Sequence, residues 1–290
     1  MLAAAAIVLG GAVFLLLLSW VRRRREGLPF VGGGESAETG VVLFFGIAVP
    51  IVSLVVLFAV ADLVVVGKTD APAASTTPMT IEVTGRQWFW EVRYPGSPAV
   101  TANEIHIPVG TRVNVIAKTA DVIHSVWVPQ LNRKVDMIPG RANRILWVAD
   151  KPGRYRGQCA ELCGLQHAHM ALEVVADPPD RFRAWLRDMA APRRAPTTAP
   201  ERRGEQVFLS QACSSCHTIR GTSARGDIGP DLTHVASRTT LAALTIPNRP
   251  GYLGGWILDP QHIKPGNKMP GLRLAGPDFR ALLGYLESLR

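Results

Sequence analysis

Residues 159–170 read Cys159-Ala160-Glu161-Leu162-Cys163-Gly164-Leu165-Gln166-His167-Ala168-His169-Met170. Two thiolates, an imidazole and a thioether thus fall on one short stretch. Soft sulfur mixed with imidazole suits copper, above all copper that cycles through Cu(I). Two cysteines four apart on a tight loop can both bridge a pair of metal ions, and a histidine and a methionine of the same loop can close the two ends. A second metal needs one more imidazole. His124, in Asp121-Val122-Ile123-His124-Ser125-Val126-Trp127-Val128-Pro129 between two apolar strand-like segments, is the candidate. Bridging thiolates spread one unpaired electron over both metals, and no position is left for a substrate. Such a centre carries electrons and catalyses nothing itself. Zinc or a disulfide is the alternative on spacing alone, although methionine is a poor zinc ligand.

A second group is Cys213-Ser214-Ser215-Cys216-His217. This is the attachment pattern for haem c, with two thiols forming thioethers to the vinyl groups and the adjacent histidine ligating iron. A bare pattern of this kind can also bind zinc, so its surroundings matter. An amphipathic helix is expected over Glu201 to Ala212, leading into the motif. Met269, in Lys268-Met269-Pro270, is the only methionine after His217 and offers a sixth ligand. A thioether there raises the iron potential relative to a second histidine. His234 and His262 are its rivals and, as solitary loop histidines, read as plain surface residues.

These groups need elements to position them. Leu2 to Val21 is apolar throughout and reaches the roughly 20 residues that span a bilayer as a helix. A second apolar run, Val41 to Val66, contains Asp62 and Pro50. A cleavable signal carries its positive charge before the apolar core, whereas here Arg22 to Arg25 follow it. The expectation is a two-helix transmembrane hairpin over residues 1–70 (helices about 2–21 and 41–66). The arginines lie in the cytoplasm, with the N-terminus and everything after Val66 outside. Lys68 to Pro78 reads as a linker.

Met79 to Ala176 reads as short strands with turn punctuation: Thr80 to Thr84, Asn103 to Ile107 and Arg112 to Ile116 alternate. A β-sandwich of roughly 100 residues is predicted, with His106 as a structural residue on one of its strands. Asp180 to Ala190 reads as a short helix, and Ala191 to Pro200 as a second linker that tethers the C-terminal region. Glu201 to Arg290 changes to helices and Gly/Pro loops. The last helix starts at Pro277 and Asp278 and carries Phe279, Leu282, Leu283 and Leu286 on one face.

The formal charge of +9 does not point to nucleic acid, because the basic residues are scattered and the one dense run flanks an apolar stretch. The four cysteines form two local pairs of different spacing. A disulfide framework would spread them along the chain.

The pattern Cys-x-Glu-x-Cys-Gly-x-x-His-x-x-Met, with Val122-Ile123-His124-Ser125 upstream, resembles the dinuclear CuA site of cytochrome c oxidase subunit II. The resemblance extends over both apolar helices, Gly85-Arg86-Gln87-Trp88-Phe89-Trp90, and Lys134 to Arg144, about two thirds of the chain. It implies an all-β, cupredoxin-like Greek-key domain over 79–178, a helix and linker over 179–200, and an all-α class I cytochrome c domain over 201–290. The haem-domain loop Gly229-Pro230-Asp231-Leu232 is similar to the one that packs on the axial histidine of small c-type cytochromes.

By matching positions, the resemblance implies side-chain copper ligands at His124, Cys159, Cys163, His167 and Met170, with Glu161 giving its backbone carbonyl. It further implies a magnesium ion at the Glu161 carboxylate, shared with subunit I, Trp88 as the point where electrons reach the copper, and Glu38 as a site of proton uptake. The haem ligands on this reading are Cys213, Cys216, His217 and Met269, and His169 is a partly exposed neighbour of His167.

The implied function is the electron-accepting subunit of a terminal respiratory oxidase. It would stand in a bacterial inner membrane with its copper and haem domains on the outer side. Its partners would be subunit I, subunit III, an external cytochrome c or another respiratory donor, and the lipid bilayer. Oxygen would be reduced to water, with proton pumping, on subunit I. A nitric oxide reductase with a similar copper subunit stays open on this chain alone. A membrane-tethered copper chaperone would have no use for a covalent haem, and a quinol oxidase subunit would lack the copper ligands.

Overall fold

The computed structural model describes residues 2–23, 35–66 and 77–290. It forms two compact units, Met1–Gly67 and Lys68–Arg290. In the first, α1 (Leu2–Arg23) and α2 (Glu35–Leu43) are helical. A π-helical stretch, Phe44–Ala48, joins α2 to α3 (Val49–Val60), and a second, Ala61–Val66, comes after α3. Thr39–Val64 is long and apolar enough to cross a membrane, and Ala6–Val21 is a shorter apolar helix. The side chains of Arg22 to Arg25 and Glu38 lie outside the described residues.

The second unit begins with ten strands: β1 (Met79–Arg86), β2 (Phe89–Arg93), β3 (Val100–Ala102), β4 (Glu104–Pro108), β5 (Val113–Thr119), β6 (His124–Trp127), β7 (Val135–Met137), β8 (Asn143–Trp147), β9 (Gly153–Cys159) and β10 (Ala171–Asp177). One sheet has the order β3-β2-β1-β5-β8 and the other β4-β10-β9-β6-β7. β1 runs parallel to β5, and β4 parallel to β10. Alternation decides which side chains face inward. Ile81 and Val83 of β1 and Val113 and Val115 of β5 meet Ile105 and Ile107 of β4 and Leu172 and Val174 of β10, all fully buried. Asn103 turns the chain between β3 and β4 in the left-handed region at φ 64, a conformation asparagine tolerates, and its Oδ1 accepts the Trp90 amide at 2.9 Å. The imidazole of His106 lies between Asp177 (2.7 Å) and Glu104 (3.2 Å) and stacks on Trp185.

α4 (Pro179–Ala190) closes one end of the sandwich with Phe182 and Met189. The haem-motif region is built from α5 (Ala199–Ser210), α6 (Cys213–Cys216), α7 (Pro250–Leu258), α8 (Pro260–Ile263) and α9 (Gly276–Ser288). α5 starts in a capping box between Thr198 and Glu201. It crosses α9 closely enough at Gly204 that an added Cβ would lie 2.0 Å from the Ala281 carbonyl oxygen. On α9 the fully or nearly buried residues are Ala281, Leu282, Tyr285 and Leu286, with Phe279 and Leu283 at the margin. The all-α expectation needs one correction. A two-residue ladder, β11 (Thr240–Leu241) with β12 (Ile246–Pro247), flanks three left-handed residues, Ala242, Ala243 and Leu244.

Ala191 to Pro200 does not hang free as its composition suggests. Arg193 pairs with Glu205. Arg220 donates to the carbonyls of Met189 and Ala190, and His234 Nε2 donates to that of Ala191. The connection is stapled to the haem-motif region from one end to the other.

Candidate metal and haem centres

The loop between β9 and β10 and the start of β6 converge on one buried spot. His124, Cys159 and Cys163 present ligand atoms within 4.8 Å of one another. The Cys159 and Cys163 sulfurs are 3.7 Å apart as free thiols. His124 Nδ1 lies 3.8 Å from the Cys159 sulfur, and His167 Nδ1 lies 3.6 Å from that of Cys163. The Met170 sulfur is 3.9 Å from Cys163. The Glu161 carbonyl, 3.2 Å from the Cys159 sulfur, faces the same place. All six residues of the expected ligand set therefore meet here. His169, expected to be partly exposed, is exposed.

The charges explain why the set wants cations. The Cys159 thiol is pushed down by its contact with Cys163, against burial, and by the His124 ring and the Ser125 and Glu161 backbone. Cys163 is pushed up by that same contact and by burial. Two thiolates this close repel each other, so positive charge between them favours ionisation of both.

Asp121, which the spacing argument did not single out, orients the site. His124 Nε2 donates to its Oδ1 at 2.8 Å, which turns Nδ1 toward the sulfurs. Holding the far nitrogen of a metal-ligating imidazole on a carboxylate fixes ring and tautomer. The other Asp121 oxygen accepts the Gln87 amide at 2.7 Å. Gln87 and Trp88 in turn both donate side-chain N–H groups to the Cys163 carbonyl, at 2.8 and 3.1 Å. An acid three residues before the histidine was the available signal.

The second centre is a mainly apolar cavity lined by Phe208, Cys213, Cys216, His217, Leu232, Trp256, Met269 and Leu282, among others. His217 Nδ1 donates to the Pro230 carbonyl at 2.7 Å, leaving Nε2 for a metal, and burial holds the ring neutral. Gly229 lies so close that a Cβ there would come within 2.5 Å of the imidazole. Met269 lines the cavity, whereas His262 does not; His234 is not the surface residue expected but is buried at 5% exposure and bonded to the connection. Cysteines, a neutral imidazole, a thioether and apolar walls fit a covalent haem. Trp88 lines this cavity as well. One aromatic side chain therefore touches the haem-type cavity and is bonded to the copper-type loop.

Residues 98–177 match the family model described as "Cytochrome C oxidase subunit II, periplasmic domain", and residues 201–290 match "Cytochrome c". The chain is 33% identical over 288 residues to cytochrome c oxidase subunit 2 of Alkalihalophilus pseudofirmus, covering 96% of this chain and 81% of that one. It is 30% identical to the subunit 2 of Bacillus subtilis, over 73% of this chain and 62% of that one. A crystal structure of the periplasmic domain of subunit II of cytochrome oxidase from Bradyrhizobium japonicum is 32% identical, with a TM-score of 0.38, over 40% of this chain and 98% of that one. A likeness that runs through both domains and nearly the whole length places the chain in a family: it belongs to cytochrome c oxidase subunit 2, with a cupredoxin-like β domain for copper and a cytochrome c domain for haem.

Proposed function

We propose that this chain accepts electrons from an external cytochrome c or a comparable respiratory donor on its haem domain and passes them, by way of Trp88 and a dinuclear CuA centre, to subunit I of a terminal oxidase. The observation that carries the reading is Trp88, which borders the cavity holding Cys213, Cys216, His217 and Met269 while its indole N–H binds the Cys163 carbonyl. When bound, the copper pair and the haem iron each take up and give back one electron, with no bond made or broken.

The chain's own residues do the positioning. His124, Cys159, Cys163, His167, Met170 and the Glu161 carbonyl hold the copper pair on a stiff β-frame, so little moves when its charge changes. Asp121 keeps the His124 ring aimed. Cys213, Cys216, His217 and Met269 hold the haem. The Glu161 carboxylate takes a magnesium ion at the contact with subunit I, Glu38 serves proton uptake, and oxygen is reduced to water on subunit I, with proton pumping. Two apolar helices form a hairpin in the cell membrane, subunits I and III pack beside it, and both redox domains stand outside.

The test is purification of the intact complex with copper, magnesium and haem analysis, optical and EPR spectra, and oxygen uptake with a reduced donor. A mixed-valence copper-pair signal, a haem c band and oxygen consumption are expected. Nitric oxide consumption without oxygen uptake would move the chain to a reductase.

Two variants probe the ligand sets. Met170→Leu swaps buried side chains of similar volume, so it costs less than about 1.5 kcal/mol of stability. It is expected to keep copper but shift the potential of the pair, read by redox titration of its absorption. An unchanged potential and turnover would remove Met170 from the set. Cys216→Ala is expected to leave haem attached through one thioether at Cys213, displacing the pyridine haemochrome band, and a normal doubly attached spectrum would refute the assignment.

A further inference from the structure

Lys264, just past α8, is 2% exposed. It has no carboxylate partner among the described residues. Its ammonium donates instead to three backbone carbonyls: His169 at 2.9 Å, Ala242 at 3.2 Å and Trp88 at 3.4 Å. An ammonium has three donors and no acceptor, so the count is complete. The three acceptors come from three different places. His169 lies on the turn between His167 and Met170, Trp88 is bonded to the Cys163 carbonyl of the copper loop, and Ala242 opens the left-handed run that helps wall the haem cavity.

A cation buried without an anion is costly, and burial pushes Lys264 down to about 8. A methionine or leucine would fill the same space without that cost. What the ammonium adds is direction, because it holds three separate carbonyls at fixed separations. The contacts around it agree. Gln166 Nε2 donates to the Pro265 carbonyl at 2.6 Å, and Leu165 packs against Gly266, which sits at φ +80. On another edge, the Thr239 amide and hydroxyl donate to Glu104 Oε2 at 3.1 and 2.7 Å.

We infer that Lys264 is a positioning residue that pins the haem domain to the copper loop, holding Trp88, the His167–Met170 turn and the haem wall in one arrangement suited to electron passage. This rests on the proposed relay, and it concerns an assignment that relay does not contain. Without the pin, the haem domain keeps the stapled connection and the Gln166 and Thr239 bonds but loses the contact that ties the three carbonyls together, and its seat loosens. Ala242, Ala243 and Leu244, held in the left-handed region that disfavours side chains, lose the bond that fixes the first of them.

The experiment uses the intact detergent-solubilised complex with Lys264→Met. Three results are expected together: copper and haem spectra like those of the wild type, at least about tenfold faster amide exchange at Thr239, whose N–H is bonded across the two domains, and at least about tenfold slower copper reduction after light-triggered injection of one electron into the haem. Exchange at Thr239 within about twofold of wild type would overturn the inference. So would faster exchange with an unchanged transfer rate.

A variant that fails to load leaves a second measurement on the wild type. Brief acetylation is expected to modify Lys264 at least about tenfold more slowly than Lys268, whose side chain is 52% exposed. Equal labelling would overturn the pin. Copper missing from the wild type would sink the relay, whereas the Thr239 and labelling results would still decide the role of Lys264.

Discussion

Cys163→Ser is expected to abolish the copper-pair spectrum while leaving the fold and the haem band in place. The Cys163 sulfur lies 3.7 Å from Cys159, 3.6 Å from His167 Nδ1 and 3.9 Å from the Met170 sulfur, so it faces every ligand on its side of the cluster. A serine hydroxyl is a hard donor that does not ionise near neutrality and cannot bridge soft metals. Loss of a residue that merely orients a ligand costs about 10–100-fold in metal affinity, so loss of a thiolate that would itself hold the copper should cost upward of about 100-fold. The backbone role of Cys163 survives, because Gln87 and Trp88 bind its carbonyl and not its sulfur. Copper analysis, EPR and far-UV circular dichroism together check this. Wild-type copper content and spectrum in the serine variant would take Cys163 out of the centre.

Gly204→Val should have the larger effect on stability. A Cβ at Gly204 would sit 2.0 Å from the Ala281 carbonyl oxygen, 2.7 Å from its carbon and 2.6 Å from the Tyr285 Cβ. Two of these are backbone atoms of α9, and they move only if the helices part. Overpacking against side chains that can yield costs about 1–3 kcal/mol, so a clash with backbone should cost about 3 kcal/mol or more. Parting α5 from α9 opens the core of Val207, Phe208, Leu282, Tyr285 and Leu286, which carries the wall of the haem cavity. The expected outcome is loss of haem content and a much lower melting temperature for the haem domain. The copper spectrum is retained, because the sandwich has a separate core around Trp90, Ile105 and Leu172. Full haem content with unchanged melting would show that the crossing tolerates a side chain.

The two centres were legible in the sequence to different depths. Cys159 to Met170 and Cys213 to His217 are short-range patterns, and ligands a few residues apart on one loop must be neighbours in space. The strands were legible for a similar reason, since burial on one face imposes alternation, as at Ile81 and Val83. Long-range partnerships left no such trace. Lys264 reaches Trp88 across 176 residues of sequence, and nothing in its surroundings marks a lysine as buried. Asp121 is near His124 in the chain, but its role depends on which nitrogen of the ring points where. The connection before α5 looked slack because proline, threonine and alanine carry no periodicity. Its anchors are Glu205, Arg220 and His234, which lie beyond it in the chain. The β11–β12 ladder has two residues per strand, too few to give a pattern.

That connection changes what kind of delivery the chain can make. A slack segment of this length would wander over a root-mean-square span of about 17 Å, and a carrier on such a leash meets its target by repeated collision. A segment fastened along its course leaves no search to perform. Handover between the centres would then be a first-order event with a single clock, insensitive to dilution, and only the arrival of electrons from outside would remain a matter of encounter.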